Sequence, residues 1–202
     1  QAVLGLPALP SMIECYDISN ISGTLSVGSM VCAVAGRPKR NRYRHFRIKT
    51  VAGADDPASI AEVVRRRFAR LLAEKQALPD LVVCDGGITQ VRAARAVLKD
   101  LGLQELPVIG LAKKFEEIVI ERDAGSRTVV LPADSKALRV LQQLRDEAHR
   151  FAITYHRKLR NRRIRESVLD DIPGIGPKKK AMILKHFGSV GHLRKASLQE
   201  LQ

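Results

Sequence analysis

The stretch Leu81-Val82-Val83-Cys84-Asp85-Gly86-Gly87, residues 81–87, sets four apolar side chains in succession and then stops them at an acid and two glycines. A short continuous apolar run is the form of a central strand covered on both faces. In open α/β sheets, ligands gather at the carboxyl ends of such strands, where Asp85 stands, and the glycines let a bulky partner approach the backbone. A nucleotide cradle fits poorly, because DGGITQ does not match G-x-G-x-x-G and no P-loop G-K-[ST] occurs in the chain.

Working outward from this strand, the pattern predicts a mixed sheet with helices on its faces. Three strand-like runs precede it, Met12 to Ser19, Thr24 to Ala35 and Arg40 to Lys49, with turn signals at Asn20 to Gly23 and Gly36 to Pro38, and their short links predict an antiparallel meander. In the third run Tyr43, His45, Arg47 and Lys49 share one face, and Arg42, Arg44, Phe46 and Ile48 the other. Asp55-Asp56-Pro57 opens a helix with an apolar stripe at Ile60, Val63, Val64, Phe68, Leu71 and Leu72, the remainder filled by Arg65, Arg66, Arg67 and Arg70. After residues 81–87 come a helix from Thr89 to Leu101, an interior strand from Val108 to Leu111, and a hairpin from Glu117 to Val130 around Asp123-Ala124-Gly125. Asp134 and Ser135 cap a long helix from about Lys136 to Arg163, with its stripe at Leu138, Leu141, Leu144, Ala148, Phe151, Tyr155 and Leu159.

Charge narrows the function class. Lys and Arg number 35 against 21 Asp and Glu, a formal net charge of +14, which points to a polyanionic partner. No apolar run approaches the roughly 18 residues of a membrane span, and Gln1 to Pro10 is no signal peptide, so a cytoplasmic protein that binds nucleic acid is expected. Little aromatic content and no tryptophan leave backbone charge to carry the affinity. The cysteines Cys15, Cys32 and Cys84 sit apart in apolar runs and read as buried thiols.

Three residues suggest phosphodiester chemistry. Asp17 lies inside the apolar run C-Y-D-I-S, where a carboxylate costs several kcal/mol unless it is paired, hydrogen-bonded or metal-bound, or else ends the strand in a turn. Asp85 makes a second carboxylate, and two acids at adjacent strand ends form a hard-oxygen site for Mg²⁺ or Mn²⁺. His149 shares a helix face with Arg145, Ala152 and His156 beside the apolar stripe. A helix laid on the sheet would bring it to the acids as a nitrogen ligand or a proton-transfer group.

The C-terminal part reads as a separate helical module. The long helix ends in RKLRNRRIR, six cations in nine residues, too dense for the helix dipole to explain and suited to phosphate contact. V-L-D-D-I-P-G-I-G-P-K-K-K then reads as Ser167 to Ile172, the turn Pro173 to Pro177, and a helix from Lys178 to Phe187, a helix-hairpin-helix. Backbone N–H groups around Gly174, Ile175 and Gly176, with Lys178 and Lys179, would meet phosphates without reading bases. Val190 to Ala196 and a capping box at Ser197 to Glu200 begin a second hairpin that stops at Gln202, so this module is expected to be incomplete. The expected organisation is a linker over 1–11, a nuclease domain over 12–165 and the hairpin module over 166–202.

From Ile13 to Gln202 the chain resembles the C-terminal half of the UvrC family of bacterial excinucleases. The resemblance rests on E-C-Y-D-I-S, P-D-L-V-V-C-D-G-G, V-I-G-L-A-K-K, L-R-D-E-A-H-R-F-A-I-T-Y-H-R-K-L-R and V-L-D-D-I-P-G-I-G-P-K, in the family's order and spacing. It implies a ribonuclease-H-like fold whose metal-bound triad makes the 5′ incision beside a DNA lesion in bacterial nucleotide excision repair, with helix-hairpin-helix motifs holding the duplex. On this chain the triad falls on Asp17, Asp85 and His149, with Lys113 and Arg145 as candidates for steadying the phosphate. Partners implied are lesion-bearing double-stranded DNA, UvrB through a family segment absent from this chain, and UvrA. The family's N-terminal 3′-cutting nuclease domain is also absent, and Asn20 stands where relatives often have His after D-I-S.

Overall fold

The apolar run at 81–84 forms the middle of a sheet of eight strands among the described residues. In the computed structural model, residues 2–21, 25–51, 53–112, 116–122, 125–167, 169 and 172–201 are described. Strands β1 (Met12–Ile21), β2 (Leu25–Val34), β3 (Arg37–Pro38) and β4 (Arg44–Arg47) precede helix α1 (Asp56–Ala73). Then follow β5 (Leu81–Asp85), α2 (Ile88–Asp100), β6 (Val108–Ala112), β7 (Glu117–Arg122), β8 (Gly125–Val129) and α3 (Lys136–Ser167). The C-terminal part adds α4 (Pro177–Phe187) and α5 (Val190–Leu193).

Strand order is β3-β2-β1-β5-β6-β7-β8, with β4 also on β2. The centre, β1-β5-β6, is parallel, and the flanking pairs are antiparallel. This mixed sheet with helices on both faces is the expected α/β architecture. One face packs α1 and α2 through Ile60, Val63, Phe68, Leu71, Val91 and Leu98, the other packs α3 through Leu138, Leu141, Leu144 and Ala148. Local signals act as their chemistry dictates: the Asp55 carboxylate caps α1 by accepting from the Ala58 N–H at 3.0 Å, and Ser135 Oγ accepts from Leu138 N–H at 3.4 Å. All three cysteines are free and buried.

Four expectations are revised. The third strand-like run is not continuous: Arg37–Pro38 and Arg44–Arg47 pair with opposite ends of β2, separated by a 3₁₀ turn at Arg40–Arg42. On α1 it is Arg67 that is buried, at 6% exposure, while Leu72 stands 40% exposed. The physical reason is Glu14 of β1, whose carboxylate receives Arg67 at 2.5 and 3.3 Å and the Tyr16 hydroxyl at 2.6 Å, so the guanidinium is neutralised inside the core. The segment expected as a linker contributes Leu4 and Leu6 to the α3-side core, and Arg127 donates to the Val3 carbonyl. Helix α3 also runs past Arg163 to Ser167.

The chain divides into two compact units, 1–153 and 154–202, so the division lies within α3 and ahead of the 165/166 boundary read from the sequence. In the second unit, the Ile175 N–H donates to the Ile172 carbonyl at 3.1 Å across Pro173-Gly174. Gly174 has φ +83°, the left-handed value that the third position of a type II turn requires. Pro177 opens α4, which puts Lys178 and Lys179 in the first turn, both exposed. The first helix expected for the hairpin falls partly outside the described residues, as do the side chains of the 157–165 basic run. The capping box expected at Ser197 is half formed: the Ser197 N–H and hydroxyl both donate to Glu200, at 2.8 and 3.0 Å, while the Glu200 N–H donates to the Ser197 carbonyl at 3.1 Å, over a 3₁₀ turn at Leu198–Leu201 instead of a helix.

Candidate active site

Strand parity decides what faces α3. On β1, Ile13 and Cys15 belong to the α3-side core and Tyr16 to the opposite one; on β5, Leu81 and Val83 face α3 while Val82 and Cys84 face away. The two strands run parallel with Tyr16 beside Cys84, so the next residues along, Asp17 and Asp85, come side by side on the α3 face. Close backbone packing allows the turn that follows: a Cβ at Gly110 of β6 would sit 2.5 Å from the Gly86 carbonyl oxygen, so only glycine lets the Asp85-Gly86-Gly87 turn close over its neighbour.

Helix α3 completes the cluster. Ala148 is buried against the sheet, and His149, one step round the helix, stands at the rim with 52% of its side chain exposed. Its Nδ1 lies 3.8 Å from Asp17 Oδ2, and one ligand atom from each of Asp17, Asp85 and His149 lies within 4.8 Å of the others. Asp17 is buried and also accepts from Ser19 Oγ at 2.8 Å.

The electrostatics are those of a cation site. Burial raises the Asp17 carboxyl to about 6, with the Asp85 carboxylate pushing the same way and the Ser19 hydrogen bond and His149 pulling against it. Burial, then Asp85, also push the nearby Cys15 thiol up, which keeps it protonated and inert. A divalent ion relieves this repulsion, and two carboxylate oxygens with an imidazole nitrogen are donors that such an ion accepts.

The remaining site candidates are distributed differently. Arg145 is mostly buried and pairs with Glu116 at 2.8 Å and Asp146 at 3.1 Å. Lys113 lies outside the described residues. Gly174, Ile175, Gly176, Lys178 and Lys179 belong to the second unit. Sequence reasoning missed two neighbours of Asp17 on the α3 face: Ser29, its cross-strand partner on β2, and His45, next in that row on β4. His45 stacks on Phe151 with ring centroids 3.7 Å apart and has Nε2 3.1 Å from the Phe151 carbonyl oxygen. Only the strand register, counted from the β1–β2 hairpin, would have signalled them.

Comparison with known proteins agrees with this arrangement. The family model described as the UvrC RNAse H endonuclease domain matches residues 1–153. The UvrABC system protein C of Methanococcoides burtonii is 52% identical over 98% of this chain and 33% of its own length. The protein of the same name from Moorella thermoacetica is 50% identical over the whole of this chain and 33% of its own. This chain thus spans about a third of the length of the curated relatives it matches. Among solved structures, human ENDOV aligns over 78% of this chain and 90% of that one, at 14% identity and a TM-score of 0.47. With half its residues shared across its full length and the family model spanning the unit that holds the Asp17–Asp85–His149 cluster, the chain belongs to the UvrC RNase H endonuclease domain family.

Proposed function

We propose that this chain is a divalent-metal-dependent DNA endonuclease that makes the 5′ incision beside a lesion in bacterial nucleotide excision repair. The observation that carries the reading is the approach of one ligand atom each from Asp17, Asp85 and His149 to within 4.8 Å, on the central parallel strands β1 and β5 of the mixed sheet and the helix α3 packed over them. Asp17 and Asp85 would hold Mg²⁺ or Mn²⁺, both of which favour carboxylate oxygen. Bound there, such an ion would polarise a phosphate oxygen and lower the pKa of a nearby water. His149, with Nδ1 3.8 Å from Asp17 Oδ2, would serve there as a third ligand or as the acceptor of a water proton. Arg145, held by Glu116 and Asp146, and Lys113 are the candidates for steadying the phosphate.

The second unit is a helix-hairpin-helix that grips the DNA backbone. Its support is the type II turn over Pro173-Gly174 and the lysines in the first turn of α4, where N–H groups have no intrahelical acceptor. The substrate is lesion-bearing duplex DNA, delivered by UvrA and UvrB, in the cytoplasm; among the described residues no helix is long and apolar enough to cross a membrane. The test joins this chain to the rest of a UvrC protein and maps cuts on a labelled, damaged duplex with UvrA, UvrB and Mg²⁺. Asp85→Asn removes one charge and little volume, so the 5′ cut is expected to vanish while DNA binding and the 3′ cut persist. Persistence of both cuts would show that Asp85 is structural.

A further inference from the structure

Ser29 of β2 stands directly opposite Asp17 in the antiparallel β1–β2 ladder. Directly opposed residues share a face, with Cβ atoms about 4.5–5.5 Å apart. The Ser29 side chain has no exposed surface, and its Oγ has no hydrogen-bond partner among the described residues. On its other side Ser29 is paired with His45, whose ring is stacked on Phe151. The hydroxyl therefore lies in a row of side chains beneath α3, between an occupied imidazole and the carboxylate of the candidate metal site.

A residue that only filled space here would do better as alanine, because a buried hydroxyl without a partner destabilises the fold. Rotation about a single bond moves a serine oxygen among three staggered positions, enough to redirect it along the ladder. Asp17 already receives Ser19 on Oδ2. We propose that Ser29 is a positioning residue for Asp17: its hydroxyl donates to the Asp17 carboxylate when that carboxylate binds the divalent cation, and with Ser19 it fixes the carboxylate's orientation. Groups that hold a ligand in this way typically change metal affinity by about 10–100-fold when removed. The inference rests on the metal-site reading of Asp17, Asp85 and His149.

The experiment measures Mn²⁺ binding to the 202-residue chain by calorimetry and by the Mn²⁺ paramagnetic resonance signal, together with thermal unfolding without metal. Wild type, Ser29→Ala, Ser29→Thr and Asp85→Asn are compared. Ser29→Ala is expected to unfold at the same or a higher temperature than wild type, yet to bind Mn²⁺ about tenfold more weakly. Ser29→Thr, which keeps the hydroxyl, is expected to recover most of that affinity. If Ser29→Ala binds Mn²⁺ like wild type while Asp85→Asn does not, Ser29 is filler and the proposal falls, with the metal site intact. A lower unfolding temperature for Ser29→Ala without metal also overturns it, since the hydroxyl then serves the fold. If Asp85→Asn itself binds like wild type, the metal-site reading fails and takes this proposal with it.

Discussion

Replacing Gly110 by alanine tests whether the fold positions Asp85 by backbone contact. The new Cβ would lie 2.5 Å from the Gly86 oxygen, 2.9 Å from Val91 Cγ2 and 3.3 Å from the Gly87 oxygen. Two of these atoms are backbone and the third belongs to a fully buried side chain, so none can swing aside. To reach an ordinary contact of about 3.4 Å, the Gly86 carbonyl must withdraw by about 0.9 Å. Overpacking of this kind costs about 1–3 kcal/mol. In a domain of this size each kcal/mol lowers the melting temperature by about 2–4 °C, so a fall of roughly 2–12 °C is expected. Asp85 adjoins the displaced carbonyl, and a shift near 1 Å in a catalytic group costs about a hundredfold in rate. Incision at 25 °C, where the variant is still folded, is therefore expected to drop by more than the stability loss alone explains. Circular dichroism melts and a metal-dependent nicking assay read the two effects separately. Gly87→Ala is the control, because nothing lies within 4 Å of a Cβ there and its φ is −95°. A Gly110→Ala protein that melts lower but cuts at the wild-type rate would refute the link between this close approach and the position of Asp85.

Three other outcomes follow from the described contacts. Arg67→Met strands the fully buried Glu14 carboxylate and is expected to cost about 3–5 kcal/mol in urea unfolding, most of it recovered in Glu14→Leu/Arg67→Met; equal losses in the single and double variants would contradict the pairing. Burial alone would raise the Glu62 carboxyl, but hydrogen bonds from the Thr50 hydroxyl, the Thr50 and Lys49 N–H groups and Arg66 lower it to about 2. A depressed carboxyl stabilises fully above its ordinary value of 4.5, so the deficit of Glu62→Gln should be about 2 kcal/mol at pH 7 and shrink as pH falls toward 2; a pH-independent deficit would count against it. Lys178→Glu with Lys179→Glu should weaken binding to all DNA sequences alike and flatten the salt dependence by about 0.9 in log–log slope per lost phosphate contact, whereas a sequence-dependent loss would exclude a backbone grip.

Much of the fold was legible because its main signals are local. The run at 81–84, stopped by an acid and two glycines, has the form of a covered strand, and the stripes of α1 and α3 follow from helical spacing. The position of Asp85 at a strand end was readable for the same reason. What escaped the sequence depended on distant partners. Arg67 lies on the helical face of Ile60, Val64 and Leu71, so spacing within α1 already turned it toward the core; what the sequence hid was its counter-charge, Glu14, 53 residues away. The break at Arg40–Arg42 arises beside Pro38, which has no N–H to continue a ladder, yet alternation on either side suggested one strand. Ser29 gains its interest only once the β1–β2 register sets it opposite Asp17.

Strand β1 carries two buried acids that point to opposite sides of the sheet, Glu14 toward α1 and Asp17 toward α3. Because side chains alternate with period two, a slip of one residue against β5 would invert both at once. Asp17 would then be buried among the apolar side chains of α1, far from His149, and Arg67 would lose its counter-charge in the core. The ion pair that stabilises the native register therefore disfavours the slipped one. The consequence is that one register serves both faces of the sheet: the pairing that gives Arg67 its counter-charge also sets Asp17 beside Asp85.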